Sequence, residues 1–567
     1  MQQQPKRWEV APRASASHFA KFPNLPPLVV QVLYNRGIID PLEAEQFISH
    51  HWGQDDPYTL KGMSAAVERL KQALVNQEQI VIYGDYDVDG VTSTVVVMQI
   101  LQALGARVQP YIPNRFDEGY GLNKHALTEL ANQGTNLIIT VDCGIRSVDE
   151  VAYANSLGLQ MIITDHHSLA DELPPAVAIV NPKQTDCSYP FKELAGVGLA
   201  YKLTQALLMS DIPNPQGIVA EDFLDLVALG TIADLVPLYK ENRKLAGLGL
   251  RKLNDSLRPG LAALLQQSGS KATEITATTI GFVLGPRLNA AGRLDSALVA
   301  YKLLMEQNGR KALDLAEQLD SQNKERQKLT QETVEMVREA VLSDTSQSLL
   351  YFVHHPEFNP GIVGLAASRI TEEFYRPALI AEQGPEVTKG SARSIAEFHI
   401  TEALDECSDL LVRYGGHAAA AGFTVKNELV ETLKTRLQEI ALQKLECEEL
   451  RPTISIDGEV NLRGVRSSLV QSINNLQPFG IGNPTPRFFS RNLRVKYCRA
   501  VGQEQRHLKL TLHDGKQDWS AIAFQQGHWI HTLTPAHSID VVYNLEFNDW
   551  HGQRTMQLNV KDLRLGE

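Results

Sequence analysis

Four short clusters of acids and histidines stand out, three of them directly after an apolar run: Asp85-Tyr86-Asp87-Val88-Asp89-Gly90, Asp142 in Val141-Asp142-Cys143-Gly144, and Asp165-His166-His167. The fourth places Asp234 within Thr231-Ile232-Ala233-Asp234-Leu235. Several carboxylates and an imidazole brought to one place would repel each other unless cations stood between them. Carboxylate plus imidazole ligation suits manganese better than the thiolate-rich sites that zinc often takes. A carboxylate shared by two divalent ions is the arrangement that activates a water and offsets charge in phosphoryl transfer. Each cluster alone has a plainer reading. Asp-rich turns after strands are ordinary turn chemistry, and histidines at strand ends often satisfy backbone groups. Asp85-x-Asp87-x-Asp89-Gly90 also opens like a calcium loop, but position twelve is Val96 rather than the glutamate such a loop needs. Four clusters together, each at a strand end or helix start, favour a joint metal site.

A second set of residues suits phosphate. Gly390-Ser391-Ala392-Arg393-Ser394 and Gly415-Gly416-His417-Ala418-Ala419-Ala420-Ala421-Gly422 combine glycine, hydroxyl, arginine and histidine. Glycine-rich backbone can approach a phosphate closely, and a guanidinium grips its oxygens in pairs. The plainer alternative for Gly415–Gly422 is a close helix–helix contact between small residues, which leaves His417 unexplained.

The elements that must position these residues follow from the apolar pattern. Ile80–Tyr83, Leu137–Val141, Met161–Thr164 and Val177–Val180 are short apolar strands bounded by turn residues, with a helix from Thr92 to Leu104. That alternation predicts a parallel sheet covered on both faces, whose ligand crevice lies beyond the carboxyl ends of the strands. Residues from about 311 to 341 place Leu315, Leu319, Leu329, Val337 and Val341 at roughly helical spacing without proline or glycine, which predicts a long helix joining two lobes. A second α/β unit starts at Leu349-Leu350-Tyr351-Phe352-Val353. From Arg451 onward, β-rich segments such as Leu508–Leu512, Ser520–Phe524 and Asp540–Phe547 suit a small barrel of OB type.

Composition narrows the class. At 567 residues the chain needs several cores. Hydrophobic residues make up 43% and charged residues 21%, as in ordinary globular proteins, and no apolar run reaches the ~18–20 residues of a membrane span. No apolar segment follows Lys6 and Arg7 to make a secretory signal. Five scattered cysteines lack the spacing of a zinc site or disulfide framework, so the expected compartment is the cytoplasm. Net charge is −12, an awkward value for a nucleic-acid partner, but residues 451–567 carry 14 basic against 10 acidic side chains.

Asp85–Gly90, Val141–Gly144, Asp165–His167 and Gly230–Pro237 resemble the four motifs of the DHH phosphoesterase superfamily. Gly285-Pro286-Arg287-Leu288-Asn289-Ala290-Ala291-Gly292-Arg293-Leu294 is similar to a stretch characteristic of RecJ exonucleases, and the motifs around Arg393 and His417 resemble those of the DHHA1 domain. The resemblance implies an N-terminal extension (1–50), a DHH catalytic domain (51–310), a connecting helix (311–345), a DHHA1 substrate domain (346–450) and an OB-fold (451–567). It implies two Mn2+ or Mg2+ ions. Asp87 and Asp142 would hold one, with help from Asp85; Asp89, Asp142, His166 and Asp234 would hold the other, with Asp142 bridging. Tyr83 stands where pyrophosphatase relatives place a histidine.

The resemblance further implies that His167 faces the scissile phosphate, with Asp165 orienting the histidine pair. Arg115, Arg293, Ser391 and Arg393 would lie near a terminal 5′ phosphate, with Asn289, His355 and His417 as further substrate contacts. The activity expected is 5′→3′ hydrolysis of single-stranded DNA to 5′-mononucleotides in repair and recombination, with single-strand-binding protein and a helicase as partners and no membrane. Two alternatives share the fold. A phosphoesterase of short oligonucleotides or small phosphoesters would keep every metal ligand, but has no need of the C-terminal barrel. A non-catalytic DNA-binding factor like Cdc45 would have lost several of the acids that this chain retains. In the barrel, Phe488, Phe489, Trp519, Phe524, Trp529 and Trp550 lie among Arg487, Arg506 and His507, as in OB-folds that stack single-stranded bases. Individually, most of these aromatics suit the barrel core better.

Overall fold

The apolar runs of the first half become a parallel sheet. The computed structural model describes residues 5–50, 53, 55–115, 118–119, 121–270, 274–344, 348–535, 537–550 and 553–566. Strands β1 (Gln79–Gly84), β2 (Arg107–Tyr111), β3 (Leu137–Val141), β4 (Gln160–Thr164) and β5 (Ala178–Val180) pair in the order β2-β1-β3-β4-β5. All the pairings are parallel, and Gly84, Val141, Thr164 and Val180 lie level. The strand order reverses at β1, with β2 on one side and β3 on the other, and the carboxyl ends at such a reversal leave a crevice for a ligand. The acids after β1 and β3 emerge into that crevice, and those after β4 beside it.

Helix α1 (Val88–Ala103) starts in the crevice. Asp87 caps it, accepting from the Gly90 N–H at 3.0 Å. The helix is buried on nearly every side because α2 (Gly196–Met209) and α3 (Leu224–Ala233) pack against it, which explains its apolar run Val95–Met98 and its small hydroxyl residues Thr92–Thr94. Helix α4 (Gly285–Leu294) carries the Gly-Pro-Arg-Leu-Asn motif. Helix α5 (Gly309–Ser343) is capped by Asn308 and runs for 35 residues, so it is about 52 Å long at 1.5 Å per residue. Its buried row, including Ala312, Ala316, Leu319, Asn323, Thr330, Val334, Val337 and Val341, confirms the periodicity seen in the sequence.

Beyond α5 lies a second sheet. Its strands are β6 (Tyr351–His355), β7 (Ala378–Gln383), β8 (Val387–Arg393), β9 (Leu411–His417) and β10 (Ala420–Lys426), ordered β9-β10-β8-β7-β6. Helix α6 (Val363–Phe374) covers β7 and β8. Gly415–Gly422 forms the β9–β10 hairpin, so its small residues do not serve a helix–helix contact. These elements, Asp55–Val236 and Leu248–Arg451, make one compact unit.

A second unit gathers Gln4–Gln54, Pro237–Gly247 and Pro452–Glu567. Its strands β11 (Phe488–Val501), β12 (His507–His513), β13 (Asp518–Ala523), β14 (Ser538–Trp550) and β15 (Gln553–Leu565) close into a five-stranded barrel, because β11 pairs with both β12 and β14. The barrel core is continuous with the N-terminal helices: Val29, Val32, Leu33 and Phe47 belong to the same cluster as Leu462, Phe488, Leu510 and Val541. A strand at Arg7–Val10 pairs with Thr453–Ile456.

Arg243 ties the three segments together. It is fully buried, and its guanidinium donates to the carbonyls of Phe47, Leu476, Gln477 and Pro478 at 2.7–3.2 Å while lying 3.6 Å from the centre of the Phe47 ring. Burial, with Arg36 nearby, pushes its pKa down to about 9. Among the described residues no helix is long and apolar enough to cross a membrane.

Candidate active site

The β1–α1 loop is built to turn its acids inward. A Cβ on Gly84 would overlap the Thr94 hydroxyl, and one on Gly90 would come within 2.5 Å of the Asp85 carbonyl, so both positions need glycine. Asp85 and Asp89 are buried by this turn. The first two N–H groups of α2 hold Asp89, from Gly196 at 2.7 Å and Val197 at 2.8 Å, which places the positive end of a helix dipole on a carboxylate. Asp142 follows β3 in the left-handed region (φ 62°), a conformation that bulky side chains seldom adopt without surrounding constraint. A Cβ on Gly196 would lie 2.7 Å from the Asp142 Cβ, so one glycine lets α2 approach both acids.

The imidazoles come from the loop after β4. His166 Nε2 lies 3.1 Å from Asp142 Oδ1, 3.6 Å from Asp234 Oδ2 and 4.0 Å from Asp89 Oδ2. Asp234 closes the end of α3. His166 Nε2, Asp142 Oδ1 and Asp85 Oδ1 are all buried and make no hydrogen bond. At 3.1 Å the first two are close enough to bond but are not aligned for it, as expected of ligands aimed at a common point between them. His167 is held differently. Asp165 Oδ1 accepts from its backbone N–H at 3.0 Å and pairs with its Nδ1 at 2.7 Å, while Asp165 Oδ2 accepts from the Ile145 N–H. The buried Asn181 donates to the His167 carbonyl at 3.0 Å.

Electrostatics separates these groups into two kinds. Burial, with Asp87 beside it, pushes the Asp89 carboxyl up to about 7; burial and Asp89 push Asp234 up to about 9. Asp85 and Asp142 also rise, through burial and then their acidic neighbours. Burial and the adjacent His167 push His166 down to about 3, which keeps it a neutral ligand. For His167, burial opposes the charge, but the bond to Asp165 outweighs it and raises the pKa; Asp165 is lowered in return. Three overlapping ligand groups result, Asp89–His166–Asp234, Asp85–Asp87–Asp142 and Asp142–His166–His167, each with its ligand atoms within 4.8 Å of one another. Acids that repel each other, a neutral imidazole and orphaned ligand atoms fit a pair of divalent cations.

A basic pocket adjoins the acids. Asn289 on α4 accepts from the Val88 N–H at 3.0 Å, and a Cβ on Gly292 would lie 2.5 Å from the Tyr86 carbonyl, so α4 seats directly on the metal-site loop. One turn on, Arg293 Nη1 donates to the Gly361 carbonyl at 3.3 Å. Arg115 stacks 4.1 Å from the centre of the Tyr86 ring with its Nε buried and unpartnered. Arg393 Nη1 donates to Ser391 Oγ and the Ala392 carbonyl, both at 2.8 Å, and Gly364 of α6 is the close neighbour of both side chains.

Two expected residues sit differently. His355 accepts from the Glu357 N–H and packs beside Phe358, and His417 is exposed at the β9–β10 turn. No hydrogen bond among the described residues joins either to the pocket. Sequence reasoning missed the α2 N–H groups and Asn181; Gly196-Val197-Gly198 opening an apolar helix was the available signal.

In the barrel, Phe488, Phe489 and Trp519 are core residues and Trp529 is half-buried. Phe524 is exposed, as is Tyr497, which the sequence did not single out. The Trp550 side chain lies outside the described residues.

Comparison with known proteins agrees with this arrangement. Family models match residues 79–231 (DHH family, N-terminal domain), 346–443 (DHHA1 domain) and 456–562 (RecJ OB domain). The single-stranded-DNA-specific exonuclease RecJ of Bacillus subtilis (strain 168) is 42% identical over 552 residues, covering 96% of this chain and 69% of that protein. The crystal structure of RecJ from Thermus thermophilus in complex with Mn2+ superposes with a TM-score of 0.85 at 30% identity, over 100% of this chain and 80% of that one. Its Mg2+ complex gives a TM-score of 0.78 at 29% identity, over 99% and 79%.

Proposed function

The chain belongs to the RecJ family of single-stranded-DNA-specific exonucleases, and from that premise we propose how its residues divide the work of removing 5′-mononucleotides from a strand. The protein is a metal-dependent phosphodiester hydrolase that takes Mn2+ or Mg2+. The observation that carries the division of roles is the placement of the Asp142-centred ligand groups beside the Arg293–Ser391–Arg393 pocket, with α4 seated on one and reaching the other.

Asp85, Asp87 and Asp142 would hold one ion, and Asp89, Asp142, His166 and Asp234 would hold the second, so that Asp142 would serve both. When bound, the pair supplies Lewis-acid activation of the attacking water and offsets charge on the phosphoryl oxygens. His167, whose pKa is raised by its bond to Asp165 against the effect of burial, offsets negative charge on the phosphoryl oxygens when it carries a proton. Asn181 fixes the backbone of that histidine.

Arg393, Ser391, Arg293 and Arg115 hold the terminal 5′ phosphate, which fixes the strand's polarity by admitting an end. The water oxygen joins phosphorus, the bond to the 3′ oxygen of the first nucleotide breaks, and that oxygen takes up a proton. The shortened strand again ends in a 5′ phosphate, so each cycle regenerates the group that the pocket recognises. His355 and His417 are further substrate contacts on the same reading. The exposed Phe524 and Tyr497 of the barrel offer faces on which bases stack. The setting is DNA repair and recombination in the cytoplasm, where five unpaired cysteines are at home, with single-strand-binding protein and a helicase as partners.

The test is digestion of one 5′-labelled oligonucleotide, as single strand and as blunt duplex, with manganese and with EDTA. Labelled mononucleotide released at once, from the single strand alone and only without EDTA, is the expected result. Cleavage restricted to di- to pentanucleotides would move the assignment to a small-substrate phosphoesterase.

A further inference from the structure

Tyr83 is the residue that departs from the pyrophosphatase pattern, and its hydroxyl serves a loop. It lies opposite Tyr111 of β2 in parallel register, which puts both side chains on one face of the sheet. Their rings stack with centroids 5.0 Å apart. Tyr83 is fully buried; its hydroxyl donates to the Gly121 carbonyl at 2.9 Å and accepts from Asn123 Nδ2 at 3.2 Å. Gly121 and Asn123 belong to the loop between β2 and the helix Lys124–Asn132, which Asn123 caps.

Glu118 gathers that loop from within. Its Oε1 accepts from the Tyr111 hydroxyl and from Asn123 Nδ2, the latter at 3.1 Å, and its Oε2 accepts from the Asn114 N–H at 2.7 Å. Its own N–H donates to the Asn114 carbonyl at 2.9 Å. Among the described residues no lysine or arginine pairs with it. This half-buried carboxylate therefore binds neutral donors alone, from the end of β2 through to the helix cap.

Arg115 follows Asn114 directly, and the loop must place it. Its guanidinium lies 4.1 Å from the centre of the Tyr86 ring, and its Nε is buried without a partner. The Tyr86 carbonyl in turn lies against Gly292, the residue before Arg293. Burial first, then Arg115, push Arg293 down to about 10. No acid lies within ion-pair distance of Arg115 among the described residues, so its position rests on one ring and on the backbone that Glu118 pins.

We propose that Glu118 is a positioning residue for the reaction: by bonding Tyr111, Asn114 and Asn123 it fixes the turn that presents the Arg115 guanidinium to the substrate. Glu118 itself touches no substrate and acts through Arg115. A guanidinium held in place before the strand arrives need not be ordered on binding, so the effect belongs to KM. This rests on the reading of Arg115 as a substrate contact given above.

The test measures kcat and KM of the full-length protein with manganese on a 5′-phosphorylated single strand, for the parent, Arg115→Ala, Glu118→Ala and the double variant. Glu118→Ala is expected to raise KM by about tenfold in the parent, the scale of lost bonds to a charged group. In the Arg115→Ala background the same change should alter KM by less than about twofold, because a residue that acts through another has nothing left to act on. Glu118→Gln keeps the shape but has one oxygen for three donors, so its KM should fall between those of the parent and Glu118→Ala. Where Glu118→Ala loses the parent's circular dichroism spectrum, Glu118→Gln takes its place in the cycle.

A rise in KM of equal size in both backgrounds, a loss confined to kcat, or an unchanged KM overturns the inference, leaving Glu118 a loop staple only and the exonuclease assignment intact. An Arg115→Ala protein with the parent's KM overturns the reading of Arg115 on which the inference rests.

Discussion

The first unit holds two pools of unbalanced charge, and they are built in opposite ways. The acid pool sits mostly at strand ends, where backbone fixes several members: α2 N–H groups hold Asp89, the Ile145 N–H holds Asp165, and the left-handed turn fixes Asp142. The arginine pool sits on α4, on β8 and in the loop after β2, at the tips of long side chains tethered by a few bonds to carbonyls and a hydroxyl. Short side chains on rigid backbone give the ångström-level placement that a transition state demands. Long arginines tolerate the shift of a strand that advances by one nucleotide per cycle. Damage to the first pool should therefore appear in kcat, and damage to the second in KM.

The sharpest test of that contrast is Asp142→Asn, which removes the carboxylate proposed to serve both ions. Turnover should fall by about a thousandfold or more with an unchanged circular dichroism spectrum. Near-normal turnover would end the two-ion assignment. His167→Gln keeps the proposed ligands but loses the imidazole paired with Asp165, and kcat should drop by about a hundredfold with metal stoichiometry retained by calorimetry.

Acidity gives a third test. Asp89 and Asp234 hold protons up to about pH 7 and 9 without metal, and an ion must displace them. Metal binding should release protons, and its Kd should fall by roughly a hundredfold per pH unit below about 7, where both carry a proton, and by roughly tenfold per unit from there to about 9. Calorimetry in buffers of different ionisation enthalpy counts those protons; no proton release would mean that the acids are already charged.

For the second pool, Arg393→Ala should raise KM by about tenfold and leave kcat within a factor of about three. A loss confined to kcat would erase the distinction between the pools. The smallest effect concerns stability. These carboxyls have raised pKa values in the folded, metal-free protein, so they favour folding most below the ordinary carboxylate range. That contribution is lost as pH rises toward about 9, the value for Asp234. Asp234→Asn should therefore raise the metal-free Tm at pH 8 by a few degrees, because an amide need not take up a proton on folding, while lowering it when metal is present.

What the sequence revealed follows the same division. Asp85, Asp142 and Asp165 were legible because parallel strands announce themselves as apolar runs and their carboxyl ends are where ligands bind. Partners far along the chain were not. The Gly196 N–H that holds Asp89 lies 107 residues away, and nothing local to either residue specifies the pairing. Glu118 was hidden for a different reason: an acid beside glycine in a loop reads as turn chemistry, and only its bonds to Tyr111, Asn114 and Asn123 set it apart. The N-terminal helices were visible as apolar stretches, but their place in the barrel unit depends on residues more than four hundred positions later. His355 and His417 have family motifs behind them and no hydrogen bond to the pocket among the described residues.

The three-segment unit pinned by Arg243 also has a history in time. A ribosome releases residues 5–54 well before residues 452–567, yet both are needed to cover Val29, Val32, Leu33 and Phe47. The unit that carries the candidate metal ligands is complete in sequence at Arg451, while the helices within residues 5–54 must wait, apolar face uncovered, for residues 452–567. A chain stopped near residue 451 would thus carry a full set of ligands and an unfinished beginning. Limited proteolysis of such a truncated chain should cut first within residues 5–54, and nascent chains of this protein should be clients of holding chaperones until the barrel closes.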